Sequence, residues 1–382
     1  MRLIFIAVLS VFTLMAEAAI AAGPVRLGVT TILSGPNADR GQSERNGIEL
    51  ALKHINMNGG VLGRSVEAVY VDNAADATKG VEAARQLIEK DHVSVLIGAL
   101  ATPVTRAIMP VANAARVPLV IDISAGQEFV DAAGVGGFDY IFKTSPSDWD
   151  VAIGMMQWLK AHNVGTIAIL SDSDVFNQAN AAAMAKAAKE VGIKTIATEV
   201  IPAGEVELSA SLQRLEGARP DRIVTLLGRS NQSFFKAYEK SAASIPISGR
   251  IDFNAALNTF TPAFINSGRF DQAIGISVFT PAVATGGLAA FIQNYRQQYG
   301  IAPTQRSIFA YEAALLIVDA VRRAGNDNPA DIQKAIKSTD MASLLGGDFT
   351  MDIHNHSHTH LQIVGLRDGK ITLIDSVTNS TP

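Results

Sequence analysis

Two strand-to-helix junctions and one histidine run hold the side chains best suited to chemistry. In GALATP at 98–103 an apolar strand ends, Thr102 stands where a helix N-cap belongs, and Pro103 suits the first helical position. A helix that starts this way points free backbone amides and a hydroxyl outward, and an anion such as a carboxylate is the natural guest. SAGQ at 124–127 follows the apolar run VPLVIDI, has the Ser-x-x-Gln spacing of a capping box, and its Gly126 permits close approach to the backbone. Read singly, each junction is an ordinary helix cap. Side by side at the carboxyl edge of one sheet, they can form two walls of an anion site.

HNHSHTH at 354–360 spaces His354, His356, His358 and His360 two apart. On a strand, all four imidazoles would share one face, a geometry able to hold Zn or Ni. The other reading is a solvated polar hairpin, since metal ligands normally come from separate elements and Asp352 is the sole carboxylate beside the run. No metal or other cofactor is called for. Enzyme signatures are missing: there is no Gly-x-Ser-x-Gly elbow, no phosphate-cradling Walker loop, no dinucleotide fingerprint after the first strand and no Cys nucleophile, so a non-enzyme is expected. Asp72, Asp76, Asp172 and Asp174 near strand ends read as turn and cap formers.

Parallel strands must position these junctions. VRLGVTTIL at 25–33, SVEAVYVD at 65–72, VSVLIG at 93–98 and VPLVIDI at 117–123 alternate with helical patterns at about 43–56, 77–90 and after Pro103, which predicts a doubly wound α/β unit. Near YIFKTSPSD at 140–148 the alternation restarts, with strands predicted at 166–171, 194–201, 222–228, 245–249 and 273–279. Residues 286–337 read as helical without intervening strands and suggest a return to the first unit. DFTMDI and LQIVGLRDGKITLID then read as closing strands, with a turn at Asp368-Gly369.

Met1-Arg2, the apolar run at 3–15 and the small residues at 16–23 read as a secretory signal peptide over 1–22, cleaved near Ala21 or Ala22. With 0 Cys, neither a lipid anchor at the cleavage point nor a disulfide framework is expected. About 360 mature residues exceed one hydrophobic core, so two domains are the default. A net charge of -4 provides no basic footprint for nucleic acid or anionic membrane, and a monomer is expected.

LSGPNADRG at 33–41, NGIELALKHIN at 46–56, INMNGGVLGR at 55–64 and IGALATPVTRAIMPVANAARVPLV at 97–120 together resemble the branched-chain amino-acid type of periplasmic binding protein. The resemblance runs over the whole mature chain. It implies two Rossmann-like lobes, 23–144 plus 280–350 and 145–279 plus 351–382, joined by a three-strand hinge that closes on a ligand. It also implies a periplasmic location and delivery of a small carboxylate, hydrophobic or branched-chain amino acid in type, to an ABC permease of the inner membrane. A ligand-sensing receptor subunit is the alternative role. The family's carboxylate contacts fall on Thr102 and on Ser124, Ala125 and Gly126. Its remaining pocket positions fall on Arg40, Phe176, Arg229 or Ser230, Asp252 and Arg306. Three arginines in such a set would favour a ligand more anionic than a zwitterion, for instance an aromatic or keto acid.

Overall fold

The computed structural model describes residues 23–241 and 245–378, so the expected leader at 1–22 lies outside the described residues. The first sheet takes its strands in the order β2-β1-β3-β4-β5, all parallel. They are β1 (Val25–Thr31), β2 (Val66–Asp72), β3 (Val95–Gly98), β4 (Leu119–Ile121) and β5 (Ile141–Lys143). Strands β3, β4 and β5 are buried throughout, as expected where helices cover both faces of a parallel sheet. Between them run α1 (Ala38–Met57), α2 (Ala77–Glu89), α3 (Thr102–Ala115) and α4 (Gln127–Ala132). Asp76 caps α2 by accepting from the Lys79 amide at 2.9 Å, the cap role its position suggested.

The second series holds α5 (Asp148–Ala161), β6 (Thr166–Asp172), α6 (Val175–Glu190), β7 (Lys194–Ile201), α7 (Ser209–Gly217), β8 (Arg222–Leu226), α8 (Asn231–Lys240), β9 (Ile247–Gly249), α9 (Phe253–Thr259), α10 (Pro262–Asn266) and β10 (Ile274–Ser277). A capping box starts α5: the Ser147 hydroxyl accepts from the Asp150 amide at 3.1 Å and the Asp150 carboxylate accepts from the Ser147 amide at 2.6 Å.

Three helices follow, α11 (Gly286–Tyr299), α12 (Gln305–Ala324) and α13 (Pro329–Lys337). They return to the first sheet. Gly47 of α1 lies so close to α12 that a Cβ there would stand 2.1 Å from the Ser307 carbonyl oxygen, and Tyr299 donates to the Asn46 carbonyl at 2.9 Å. Small strands β11 (Asp340–Ala342) and β12 (Asp348–Thr350) pair only with each other, so DFTMDI does not join a main sheet as its pattern suggested. The last strands, β13 (Leu361–Arg367) and β14 (Lys370–Val377), complete the second sheet, ordered β14-β13-β10-β9-β8-β6-β7. Their hairpin turns at Asp368 and Gly369 with φ 51 and 69, the double left-handed geometry for which Asp-Gly is suited. The chain therefore passes between the two sheets three times, after β5, after β10 and after β12.

Candidate ligand-binding cleft

A cleft of about 820 Å³ opens between the two sheets, with one wall from the starts of α3 and α4 and the other from α5 and α6. Thr102, Ala125, Gly126 and Phe176, all expected in the site, line it.

On the first wall the junctions are built differently from their sequence spacing. Ala101, not Thr102, is the N-cap of α3, and Thr102 is the first helical residue, half-buried with its side chain in the cleft lining. Thr105 and Ser124 do the local polar work: their hydroxyls lie 2.8 Å apart, and each reaches the Ala99 carbonyl at 2.6 Å. Ser124 is thereby buried and stitches the ends of β3 and β4 together, leaving the Ala125 and Gly126 backbone to face the cleft. The Ser-x-x-Gln capping box does not form; Gly126 is the N-cap of α4, and Gln127 donates to Asp131 at 3.0 Å instead. The wall that results joins the Ala125–Gly126 turn and Thr102 to the Arg106–Glu128 pair, with the positive end of a 14-residue helix behind it.

The second wall is made of side chains. Asp174 caps α6 through the Phe176 amide at 3.0 Å, which fixes Phe176 at the rim with 46% of its surface exposed. Ala179, Ala182 and Ala183 continue this face as a smooth apolar strip. Trp149 of α5 closes the strip, with the Lys186 ammonium 4.4 Å above its ring.

Arg250, directly after β9, is a residue that the sequence reading missed. Its guanidinium reaches Asp148 at 3.3 Å, donates to Asn180 and lies 5.1 Å from the Phe176 ring. Burial lifts the Asp148 carboxyl above its ordinary range, and Arg250 and then Lys143 oppose that rise. Every acid lining the cleft has a protein partner: Glu128 pairs with Arg106 at 2.7 Å, Asp148 with Arg250, and Asp174 with its helix start.

The other expected contacts lie outside the lining of this cleft. Arg40 is exposed on α1, and Arg306 of α12 is placed with Arg40, Asp39 and the buried Glu44, where burial lowers its pKa. Arg229 is exposed beyond β8, while Ser230 is fully buried and accepts from the Gly204 amide at 3.0 Å. Asp252 caps α9 through the Ala255 amide at 3.0 Å and borders a separate pocket of about 330 Å³. Local backbone demand has taken up the side chains of Ser230 and Asp252.

The histidine run is not a strand, and its four rings do not share a face. It is the third passage between the sheets, held by isolated bridges from Met351 to Ser357 and from Lys143 to His356. His356 is buried with Nε2 3.2 Å from the Ser145 carbonyl, and His358 Nε2 lies 3.1 Å from Asp352. His360 instead lies over Gly346 and Gly347, while the His354 backbone packs against Gly134. Lys143, fully buried beneath the run, donates to the Ser145 carbonyl and hydroxyl at 2.8 Å each, and burial pulls its pKa down to about 8.

The sequence profile of the periplasmic binding proteins matches residues 24–370. The chain belongs to the periplasmic binding protein family. Members of this family are solute-binding proteins. A curated relative, the Leu/Ile/Val-binding protein homolog 7 of Brucella suis biovar 1 (strain 1330), is 24% identical and covers 96% of this chain and 95% of its own length. Among solved structures, the branched-chain amino acid transporter substrate binding protein of Streptococcus pneumoniae, in complex with isoleucine, aligns with a TM-score of 0.72 at 22% identity, covering 93% of this chain and 99% of that one. The solute binding protein of an ABC transporter from Rhodopseudomonas palustris BisB5, in complex with 3,4-dihydroxy benzoic acid, aligns with a TM-score of 0.74 at 20% identity, covering 93% and 97%. The two-lobed periplasmic binding fold of this protein is thus shared with structures whose ligands differ.

Proposed function

We propose that this binding protein captures a small carboxylic acid with an apolar or aromatic body in the cleft and delivers it, as an exported monomer, to an ABC permease of the inner membrane. The carboxylate would rest on Thr102 and the Ala125–Gly126 backbone, where the helix dipole favours an anion. The body of the ligand would lie along Phe176, the alanine strip of α6 and Trp149. Lobe closure would expel water and strengthen each polar contact. No covalent step enters.

One observation favours an acid lacking an amino group over an amino acid: the carboxylates lining the cleft are already engaged by Arg106, Arg250 and a helix start. An α-ammonium placed there would have to share a carboxylate with its present partner. The solved relative that holds 3,4-dihydroxy benzoic acid supports this choice, and the one that holds isoleucine marks the competing ligand class. Titration calorimetry of the mature protein against 4-hydroxybenzoate and leucine tests it. The proposal expects micromolar binding of the aromatic acid, about 8 kcal/mol, and at least tenfold weaker binding of leucine. Leucine binding as tightly as the aromatic acid, or more tightly, would overturn the acid reading.

A further inference from the structure

The cleft leaves one cluster of ligating side chains without a role, and it stands at the hinge. Asp150 of α5, His356 and His358 bring one ligand atom each to within 4.8 Å of one another. Asp150 belongs to the element that begins after the first passage between the sheets, whereas both histidines belong to the third passage.

The spacing suits a small cation better than direct hydrogen bonding. His356 Nε2 lies 3.4 Å from Asp150 Oδ2, and His358 Nδ1 lies 3.4 Å from Asp150 Oδ1. Ordinary N–H···O hydrogen bonds are shorter, about 2.7–3.2 Å. Ligand atoms held at about 2.0–2.1 Å around a tetrahedral zinc ion stand roughly 3.3–3.4 Å from each other, and the three ligand atoms here, all within 4.8 Å of one another, draw closer to take that spacing. The supporting groups also match a metal centre. Asp352 lies 3.1 Å from His358 Nε2 and would hold that proton when an ion displaces the one on Nδ1, the carboxylate–histidine relay of many zinc sites. The other Asp352 oxygen accepts from the His354 and His356 amides at 2.8 and 2.9 Å and so fixes the loop. Ser147 holds Asp150 through its amide at 2.6 Å and its hydroxyl at 2.7 Å. Side-chain exposure falls to 1% at His356 and 6% at Asp150, with 22% at His358, so the site is dry on two sides and open on one.

We propose that Asp150, His356 and His358 form a binding site for a divalent zinc-like cation that pins the first and third hinge passages together. Water takes the fourth coordination position, on the His358 side. His356, whose Nε2–H faces the Ser145 carbonyl in the metal-free protein, moves that proton to Nδ1 and presents the Nε2 lone pair to the ion. The carboxylates of Asp150, Asp148 and Asp122 offset the neighbouring Lys143 charge.

The test uses the mature protein without a polyhistidine tag, titrated with Zn2+ against a competing chelator. One ion per chain is expected, with affinity at least tenfold lower in His358→Gln and unchanged in His360→Gln. Retention of wild-type affinity by His358→Gln, or the absence of any stoichiometric binding, overturns the site. Because His358→Gln could disturb the hinge itself, the wild-type protein is also loaded with Co2+. An intense visible band of four-coordinate cobalt supports the site, and the weak spectrum of hydrated cobalt overturns it.

Discussion

The two walls of the cleft are built by different means. The first-lobe wall is a helix start, a hydroxyl and a glycine turn, with Ser124 and Thr105 spent on joining β3 to β4. The second-lobe wall is an aromatic rim and an alanine strip over the Arg250–Asp148 pair. Backbone amides and a dipole serve any carboxylate, so under the proposed function the first wall would set the anchor, and the second wall, built from replaceable side chains, would set which body is attached to it. The lobes also treat buried acids differently. Asp148 in the second lobe has a cation at hand, whereas Glu312 of α12, packed with the first, meets the Ser343 hydroxyl and the Leu344 amide through one carboxyl oxygen only and leaves the other buried without a partner.

Breaking the charged side of this comparison should have the largest effect. Arg250→Ala leaves Asp148, 12% exposed, with Lys143 as its remaining cation; a cost of about 3 kcal/mol in urea unfolding is expected, together with weaker ligand binding as Phe176 loses its guanidinium neighbour. Next in size, the neutral side can be read through pH. Burial pushes the Glu312 carboxyl from 4.5 up to about 7. Between those values the unfolded chain releases a proton that the folded chain keeps, so this group's contribution to stability falls as pH rises through the window and is level above it. In Glu312→Gln that decline, roughly 3 kcal/mol, should vanish from denaturation curves taken across the window.

Two smaller changes sharpen the division of labour. Thr102→Val should weaken every carboxylate ligand by about 1 kcal/mol, near fivefold, with the melting temperature unchanged. Phe176→Ala should cost about 1 kcal/mol for an aromatic acid and less for an aliphatic one, as judged by calorimetry on both. A uniform loss in Phe176→Ala and a selective one in Thr102→Val would invert the comparison.

The fold was legible because each lobe alternates short apolar strands with amphipathic helices, and Asp368-Gly369 announces its own hairpin. The first wall was legible for the same reason: strand ends at 98 and 121 are visible in the pattern, and what they present is backbone. Finer assignments failed where several side chains could meet one demand. Thr102 stands one residue past the N-cap of α3, and Ser124, instead of capping a helix, joins Thr105 on the Ala99 carbonyl. Asp252 and Ser230 lie at the right strand ends but are consumed by an N-cap and a loop amide. Arg250 stands at the end of β9, and the strand-end rule applied one residue earlier would have found it. Nothing local in HNHSHTH signals Asp150, some 200 residues away, because a contact between hinge passages has no sequence period.

The most direct test of the central claim is a crystal structure of the mature protein grown with 4-hydroxybenzoate. The carboxylate is predicted within hydrogen-bond distance of the Thr102 hydroxyl and the Gly126 amide, with the ring between Phe176 and Trp149. A ligand bound in the pocket beside Asp252, or lying in the cleft with its carboxylate turned to Arg250, would contradict it.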